Sequence, residues 1–225
     1  MIAAGQLPWL TVRQGSAPLL LCMPHAGTTI PAEMEARLVS PWLARKDTDW
    51  WIDRLYEFAF RLGASVVRMD VSRTVIDCNR DPSGASLYPG QATTELCPTT
   101  TFDGELLYRI GGAPQEAEIA ARRNAWFDPY HRAIEQQCDR GAFTRVTNGR
   151  FKGGYTTRHY GRPAEGVHAL QMELACRGYL REPLGGVDEG NWPCAYEERF
   201  AAPLSAILEQ VLTACIRFAS AAGAA

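Results

Sequence analysis

The chain has 225 residues, 46% of them hydrophobic, with 23 basic and 25 acidic residues and a formal net charge of -2. That is enough apolar material for one sizeable core, and no repeat or composition shift marks a boundary, so residues 1–225 read as a single domain. The mixed charges offer no basic block to a phosphate backbone, which argues against nucleic acid, whereas a small anionic substrate needs only one or two well-placed arginines.

The opening stretch, MIAAGQLPWLTVRQGSAPLLLCMPHAG, has no positively charged region ahead of an apolar run, and residues 18–23 are far too short to span a bilayer. The expectation is a cytoplasmic protein, neither secreted nor membrane-bound. Residues 18–22 (PLLLC) read as a buried strand that delivers His25 at its carboxyl end, where open α/β sheets place their active-site crevice. A short helix is expected over 31–39 and a long one over 47–62, with Trp51, Leu55, Phe58 and Leu62 on one face and Gly63 as its stop. Residues 64–71 form a second strand, continued or neighboured by 74–78.

Residues 81–104, rich in Pro, Gly, Ser and Thr, read as a functional loop. Residues 114–138 are helical with a break at Asp128-Pro129, and 148–166 form a second polar loop carrying five glycines. Residues 167–174 (VHALQMEL) are a third strand, and 194–219 an amphipathic C-terminal helix. Strands alternating with helices predict an α/β layer fold. The seven cysteines are odd in number and contain no CxxC pair, which fits small core residues of a reduced protein.

Several side chains could carry chemistry. His25 is either a loop histidine with a local hydrogen bond or a metal ligand or general base at a strand tip. Asp47, Asp49 and Asp53 open the long helix, where acidic residues ordinarily cap free N–H groups; alternatively Asp49, sharing a face with Asp53, reaches into a site with Asp53 in support. Arg73, Asp77, Asn79 and Arg80 flank the apolar run TVIDC, and a guanidinium there suits a carboxylate or a developing oxyanion, with Asp77 orienting it from behind. Glu173, at the end of an apolar strand, is costly to bury unless paired or used, which suits a general base. His168 lies five residues before it, on the opposite face of such a strand. No GxSxG elbow and no P-loop spacing occurs.

The segments MPHAGTTIP, RKDTDWWIDRLY, SRTVIDCNRDPSGASLYPG, TTELCPTTTFDGE, TNGRFKGGYTTRHYGRP and HALQMELACRGYL together resemble the N-formylglutamate amidohydrolase family, in particular its histidine-degradation branch. The resemblance covers most of the chain. It implies a phosphorylase/hydrolase-like α/β fold with a mixed central sheet flanked by helices, as in zinc exopeptidases. It also implies hydrolysis of N-formyl-L-glutamate to formate and L-glutamate by zinc-activated water. Carried over, His25 is a zinc ligand, Arg73 faces the scissile carbonyl oxygen, Asn79 and Arg80 grip the substrate carboxylate, and Glu173 is the catalytic glutamate. Related acylases place a glutamate ligand three residues after the histidine. That position is Thr28 here, and Asp49 takes the role instead.

The chain departs from the family at one place. Between about 137 and 147, where the family carries a strand with an Asp-x-His-Ser motif and a further zinc ligand, it runs CDRGAFTRVTNG. Of the remaining histidines, His131, His159 and His168, the one in the glycine-rich loop, His159, is the best substitute. Two alternatives stand beside the deformylase reading: an amidohydrolase for another N-acyl amino acid, and an inactive, truncated or degenerate homologue that binds an acidic amino acid, or nothing, without metal.

Overall fold

The computed structural model describes residues 7–83, 94–140 and 154–222. Three strands form its sheet in the order β1-β3-β2: β1 (Leu10–Arg13), β2 (Leu20–Met23) and β3 (Ser65–Met69). The central strand carries Val66, Val67 and Met69, all buried, which is the composition expected of a strand covered on both faces. β1 runs antiparallel to β3, with Leu10 opposite Met69, and β2 runs parallel to it, with Cys22 opposite Val67. The parallel pairing resumes beyond β2 as a single bridge between Thr29 and Val71. His25 therefore sits where the chain leaves β2, held between two stretches of paired backbone.

The helices are α1 (Ala32–Glu35), α2 (Ile52–Leu55), α3 (Glu116–Arg122), α4 (Asp128–Arg140), α5 (Tyr155–Tyr160) and α6 (Glu198–Ala222). Two apolar clusters sit beside the sheet. One joins Val67 and Met69 to Leu38, Ile76, Tyr130 and Ile134, and the other joins Met23 to Leu55, Phe58, Tyr179, Leu180 and Leu208. A small mixed sheet with helices packed on it is thus the α/β arrangement expected from the sequence. α6 is long and apolar enough to cross a membrane by length and composition, yet Ala201, Leu208 and Leu212 are buried in the second cluster. The six cysteines whose side chains are described form no disulfide.

Five expectations need correction. The long helix over 47–62 is broken: Trp51 has φ 60, the left-handed region disfavoured for a bulky residue, so only Ile52–Leu55 is α-helical before a 3-10 turn at Glu57–Phe60. The stretch 74–78 is a buried turn, closed by Val75 N–H donating to the Ser72 carbonyl at 2.9 Å and by the Thr74 hydroxyl donating to the Ala44 carbonyl at 2.6 Å. Residues 167–174 form no strand: beyond one bridge between Arg162 and Val167 they run without a ladder, leaving Leu170 71% and Met172 41% exposed. An apolar alternating pattern becomes a strand only where it pairs with a neighbouring edge, and this segment pairs with neither edge of the described sheet. The second polar loop contains α5. Residues 148–153 of that loop, and 84–93 of the first, lie outside the described residues. The break expected at Asp128-Pro129 is not there: both residues belong to α4, and the helical path from α3 is continuous, loosened only by a π-turn over Arg123–Phe127.

A candidate active site built around Asp77

The buried turn that replaces the expected strand has a consequence for chemistry. On a strand, positions four apart share a face but stand about 13 Å apart. In the turn, Arg73 and Asp77 close into an ion pair, with the guanidinium Nη2 donating to Asp77 Oδ2 at 2.7 Å. Asp77 is wholly buried, and its other oxygen meets His25 Nε2 at 2.7 Å and the Asn79 backbone N–H at 2.9 Å. Arg80 Nη2 approaches from a third side at 3.8 Å. One carboxylate therefore gathers four of the groups that the sequence singles out. Burial alone would push the Asp77 carboxyl upward, but His25, Arg73 and Arg80 outweigh it and hold it well below the ordinary carboxylate range.

An ionised carboxylate only accepts, so His25 Nε2 carries the proton that it donates to Asp77, and Nδ1 is the free face of the ring. That face looks toward Asp49 Oδ2 at 3.6 Å. Burial and the Arg73 charge pull the His25 pKa down, yet Asp77 and Asp49 overcome both and raise it. Asp49 is lowered against the cost of its burial by His25 and Arg73. Asp49 lies in the turn ahead of α2, fixed by its own N–H donating to the His25 carbonyl at 3.0 Å, and its side chain remains 45% exposed. Its neighbours Thr48 Oγ1 and Trp50 Nε1 are buried polar atoms without a hydrogen-bond partner among the described residues. Gly27 is required beside this corner because a Cβ there would lie 2.3 Å from the Asp70 backbone.

Asp53 does not support Asp49. With the helix broken at Trp51 the two no longer share a face, and Asp53 Oδ2 instead accepts from Arg68 at 2.7 Å. Arg73 is 7% exposed, also faces Asp49 Oδ1 at 3.8 Å, and is covered by the Phe102 ring at 4.6 Å. Arg80 spends Nε on the Thr94 carbonyl and Nη2 on the Thr94 hydroxyl, each at 3.1 Å.

Asn79 is tied to α5: its Oδ1 accepts from the Thr156 N–H at 2.9 Å, and its Nδ2 donates to Gln171 Oε1 at 3.4 Å. Glu173 is not at a strand end. It is exposed, and its Oε1 accepts from Gln171 Nε2. A continuous chain of hydrogen bonds thus runs from His25 through Asp77, Asn79 and Gln171 to Glu173. Sequence reasoning foresaw Asp77 behind a guanidinium but missed its bond to His25, which spans 52 residues, and it missed Gln171 and Thr156 altogether. Only the polar outlier at Gln171 in an apolar run could have pointed there.

The donor set can be compared with a zinc site. Two ligands on one tetrahedral zinc stand roughly 3.3 Å apart at ordinary bond lengths, close to the spacing of His25 Nδ1 and Asp49 Oδ2. Asp77 behind the imidazole is the usual partner of a metal-ligating histidine. A third donor is not supplied: no group of three His, Cys, Asp or Glu residues suited to a metal occurs among the described residues. His131 has both nitrogens engaged, Nε2 with the Cys78 carbonyl and Nδ1 with the Tyr160 hydroxyl, each at 2.9 Å. His159 stacks on Tyr155 at 4.9 Å and faces Glu135 at 3.8 Å, and His168 packs edge-on against Phe218.

Two of the solved structures that resemble the chain can be named. They are an N-formylglutamate amidohydrolase from Ralstonia eutropha JMP134, 24% identical with a TM-score of 0.48, and a gene product of Agrobacterium tumefaciens, 26% identical with a TM-score of 0.45. The matches cover 62% and 64% of this chain, and 56% and 60% of those chains, less than two thirds of either. The sequence matches reach further. N-formylglutamate deformylases of Pseudomonas putida and Pseudomonas aeruginosa are 35% and 34% identical over 92% and 90% of this chain and 95% and 94% of their own length. The first alignment has 263 positions, of which 92% of a 225-residue chain fills about 207, so this chain has no residue at about 56 of them. The model of the N-formylglutamate amidohydrolase family matches in two pieces, residues 17–142 and 134–180, which overlap at 134–142; most of the stretch 137–147, where the family's Asp-x-His-Ser strand was expected to be missing, lies outside the described residues. With nearly all of both curated relatives aligned and the family model spanning most of the chain, the protein belongs to the N-formylglutamate amidohydrolase family.

Proposed function

We propose that this chain hydrolyses N-formyl-L-glutamate to formate and L-glutamate, a reading supported by curated relatives named N-formylglutamate deformylase. The observation that carries the reading is the cluster around Asp77, which brings His25, Arg73, Asn79 and Arg80 together and turns His25 Nδ1 toward Asp49. In this reading Arg73, kept protonated and desolvated, faces the formyl carbonyl and stabilises the oxyanion that develops there. Arg80 and Asn79 receive the substrate carboxylate and so fix the amide for attack. Glu173 takes the proton of the attacking water and returns it to the leaving amine nitrogen. His25 and Asp49 would hold a divalent cation, most simply zinc, which supplies a water of lowered pKa. The zinc-exopeptidase-like fold and a cytoplasmic setting belong to the same proposal.

The shortfall of about 56 aligned positions against the first relative favours one second reading, a homologue that binds an acidic N-acyl amino acid without turning it over. Formate and glutamate release from N-formyl, N-acetyl and N-succinyl glutamate, measured with elemental analysis of the purified chain, separates the two. The proposal expects turnover of the formyl substrate, a divalent metal in the protein, and a kcat lowered by about a hundredfold or more in Glu173→Gln with the fold intact. Binding without product release at any metal loading would leave only the second reading.

A further inference from the structure

We propose that Gln171 is a positioning residue that sets Glu173 against Asn79, an inference that rests on the reading of Glu173 as the base. Its carboxamide orientation is fixed by its partners. The Gly154 N–H, 2.7 Å away, must meet an acceptor, so that atom is Oε1 and the amide nitrogen is left to donate to Glu173. Oε1 also accepts from Asn79 Nδ2 at 3.4 Å, which ties it to the residue assigned to the substrate carboxylate.

The other end of this arrangement is rigid. Asn79 accepts at its carbonyl from the Tyr155 N–H at 3.2 Å and at Oδ1 from the Thr156 N–H at 2.9 Å, so the start of α5 is pinned to it. The contact is close enough that a Cβ on Gly154 would lie 2.1 Å from Asn79 Nδ2. Gln171 and Glu173 are two apart in the chain, and their side chains meet directly. No ladder holds this stretch beyond the single bridge at Val167, and both side chains are exposed, so Gln171 is the described group that orients Glu173. An exposed carboxamide with three aligned partners contributes little to folding. Its consequence is orientation.

The test compares Gln171→Glu, Gln171→Met, Glu173→Gln and the double variant Gln171→Glu/Glu173→Gln in the full chain, with N-formyl-L-glutamate as substrate and thermal unfolding as a check on folding. Glutamate at 171 keeps the oxygen that meets Gly154 and Asn79 but loses the donor to Glu173. It should lower kcat by about tenfold to a hundredfold and leave KM within about twofold. Methionine loses both functions and should also raise KM severalfold, because Asn79 Nδ2 loses its acceptor although Oδ1 stays with the Thr156 N–H. In the Glu173→Gln background the Gln171→Glu change should lower kcat no further, since its effect passes through the base. A normal kcat for Gln171→Glu, or a full additional loss in the double variant, overturns the inference while the base assignment stands. A normal kcat for Glu173→Gln alone, or a parent chain without turnover, overturns the base assignment and the inference with it.

Discussion

Asp77→Asn changes one atom at the centre of the cluster, and its cost can be worked out from the geometry. The shared oxygen that accepts from His25 and from the Asn79 N–H is retained as a carbonyl. The other oxygen becomes an NH2 that faces the Arg73 guanidinium at 2.7 Å, a donor against a donor. Arg73, 7% exposed, is then a buried cation whose nearest remaining carboxylate is Asp49, 3.8 Å away and partly in water. Breaking one side of a buried ion pair costs about 3–5 kcal/mol, a large share of the 5–15 kcal/mol that typically stabilises a domain. Urea unfolding should show that loss as a lower midpoint with the slope unchanged, and Tm should fall by about 10 °C or more. The charge also sets a pH dependence: with Asp77 depressed in the folded chain, its contribution is present above the unfolded carboxyl pKa and is lost as pH falls through the folded value. The variant should therefore lose part of the parent's acid sensitivity. Adding Arg73→Met removes the stranded cation and should recover part of the loss. A loss below about 1 kcal/mol for Asp77→Asn, or a double variant whose losses simply add, refutes the account of Asp77 as the counter-charge on which Arg73 depends.

Two further expectations follow from local geometry. Gly154→Ala sets a methyl 2.1 Å from Asn79 Nδ2, so α5 or Asn79 must move; a loss of about 1–3 kcal/mol in urea unfolding is expected, and a neutral variant would show that the contact is not held in solution. His131, buried with both nitrogens engaged, has its pKa pushed down to about 3, mainly by burial. The unfolded chain protonates this histidine near its ordinary value and the folded chain does not, so its contribution is intact above that value. It is lost at about 1.4 kcal/mol per pH unit as pH falls toward 3. His131→Phe should flatten the stability profile between about pH 6 and 4, and an unchanged slope would place the acid sensitivity elsewhere.

What could be read from the sequence follows from the range of the interactions. β2, β3 and α6 are announced by composition within a few residues, and the strand-tip position of His25 comes with β2. The Arg73–Asp77 pair was visible as charges flanking an apolar run, but the turn that closes it depends on Thr74 reaching Ala44, thirty residues away. The helix over 47–62 had the right periodicity and failed because Trp51 adopts a conformation that no propensity favours, with its indole N–H donating to the Cys194 carbonyl at 2.9 Å. That indole bond and the Asp77–His25 bond join positions far apart in sequence, and a reading of local pattern has no access to them.

The segment at 167–174 presents a different problem, because its pattern is that of a strand and its environment is not. The described sheet has β1 and β2 at its edges, and residues 167–174 pair with neither. A strand is held by its neighbours, so a segment without one keeps its alternation but forms no ladder. Leu170 and Met172 are exposed, and His168 meets the 55% exposed Phe218, as suits a segment that has no ladder. In a paired strand the register fixes the direction of every side chain. Here Glu173 is oriented by one carboxamide that also reaches Asn79 and Gly154. The proposed role of Gln171 thus puts the candidate base under the control of a side-chain hydrogen bond rather than of backbone pairing. Catalysis in this chain should accordingly be far more sensitive to residue 171 than its exposure would imply.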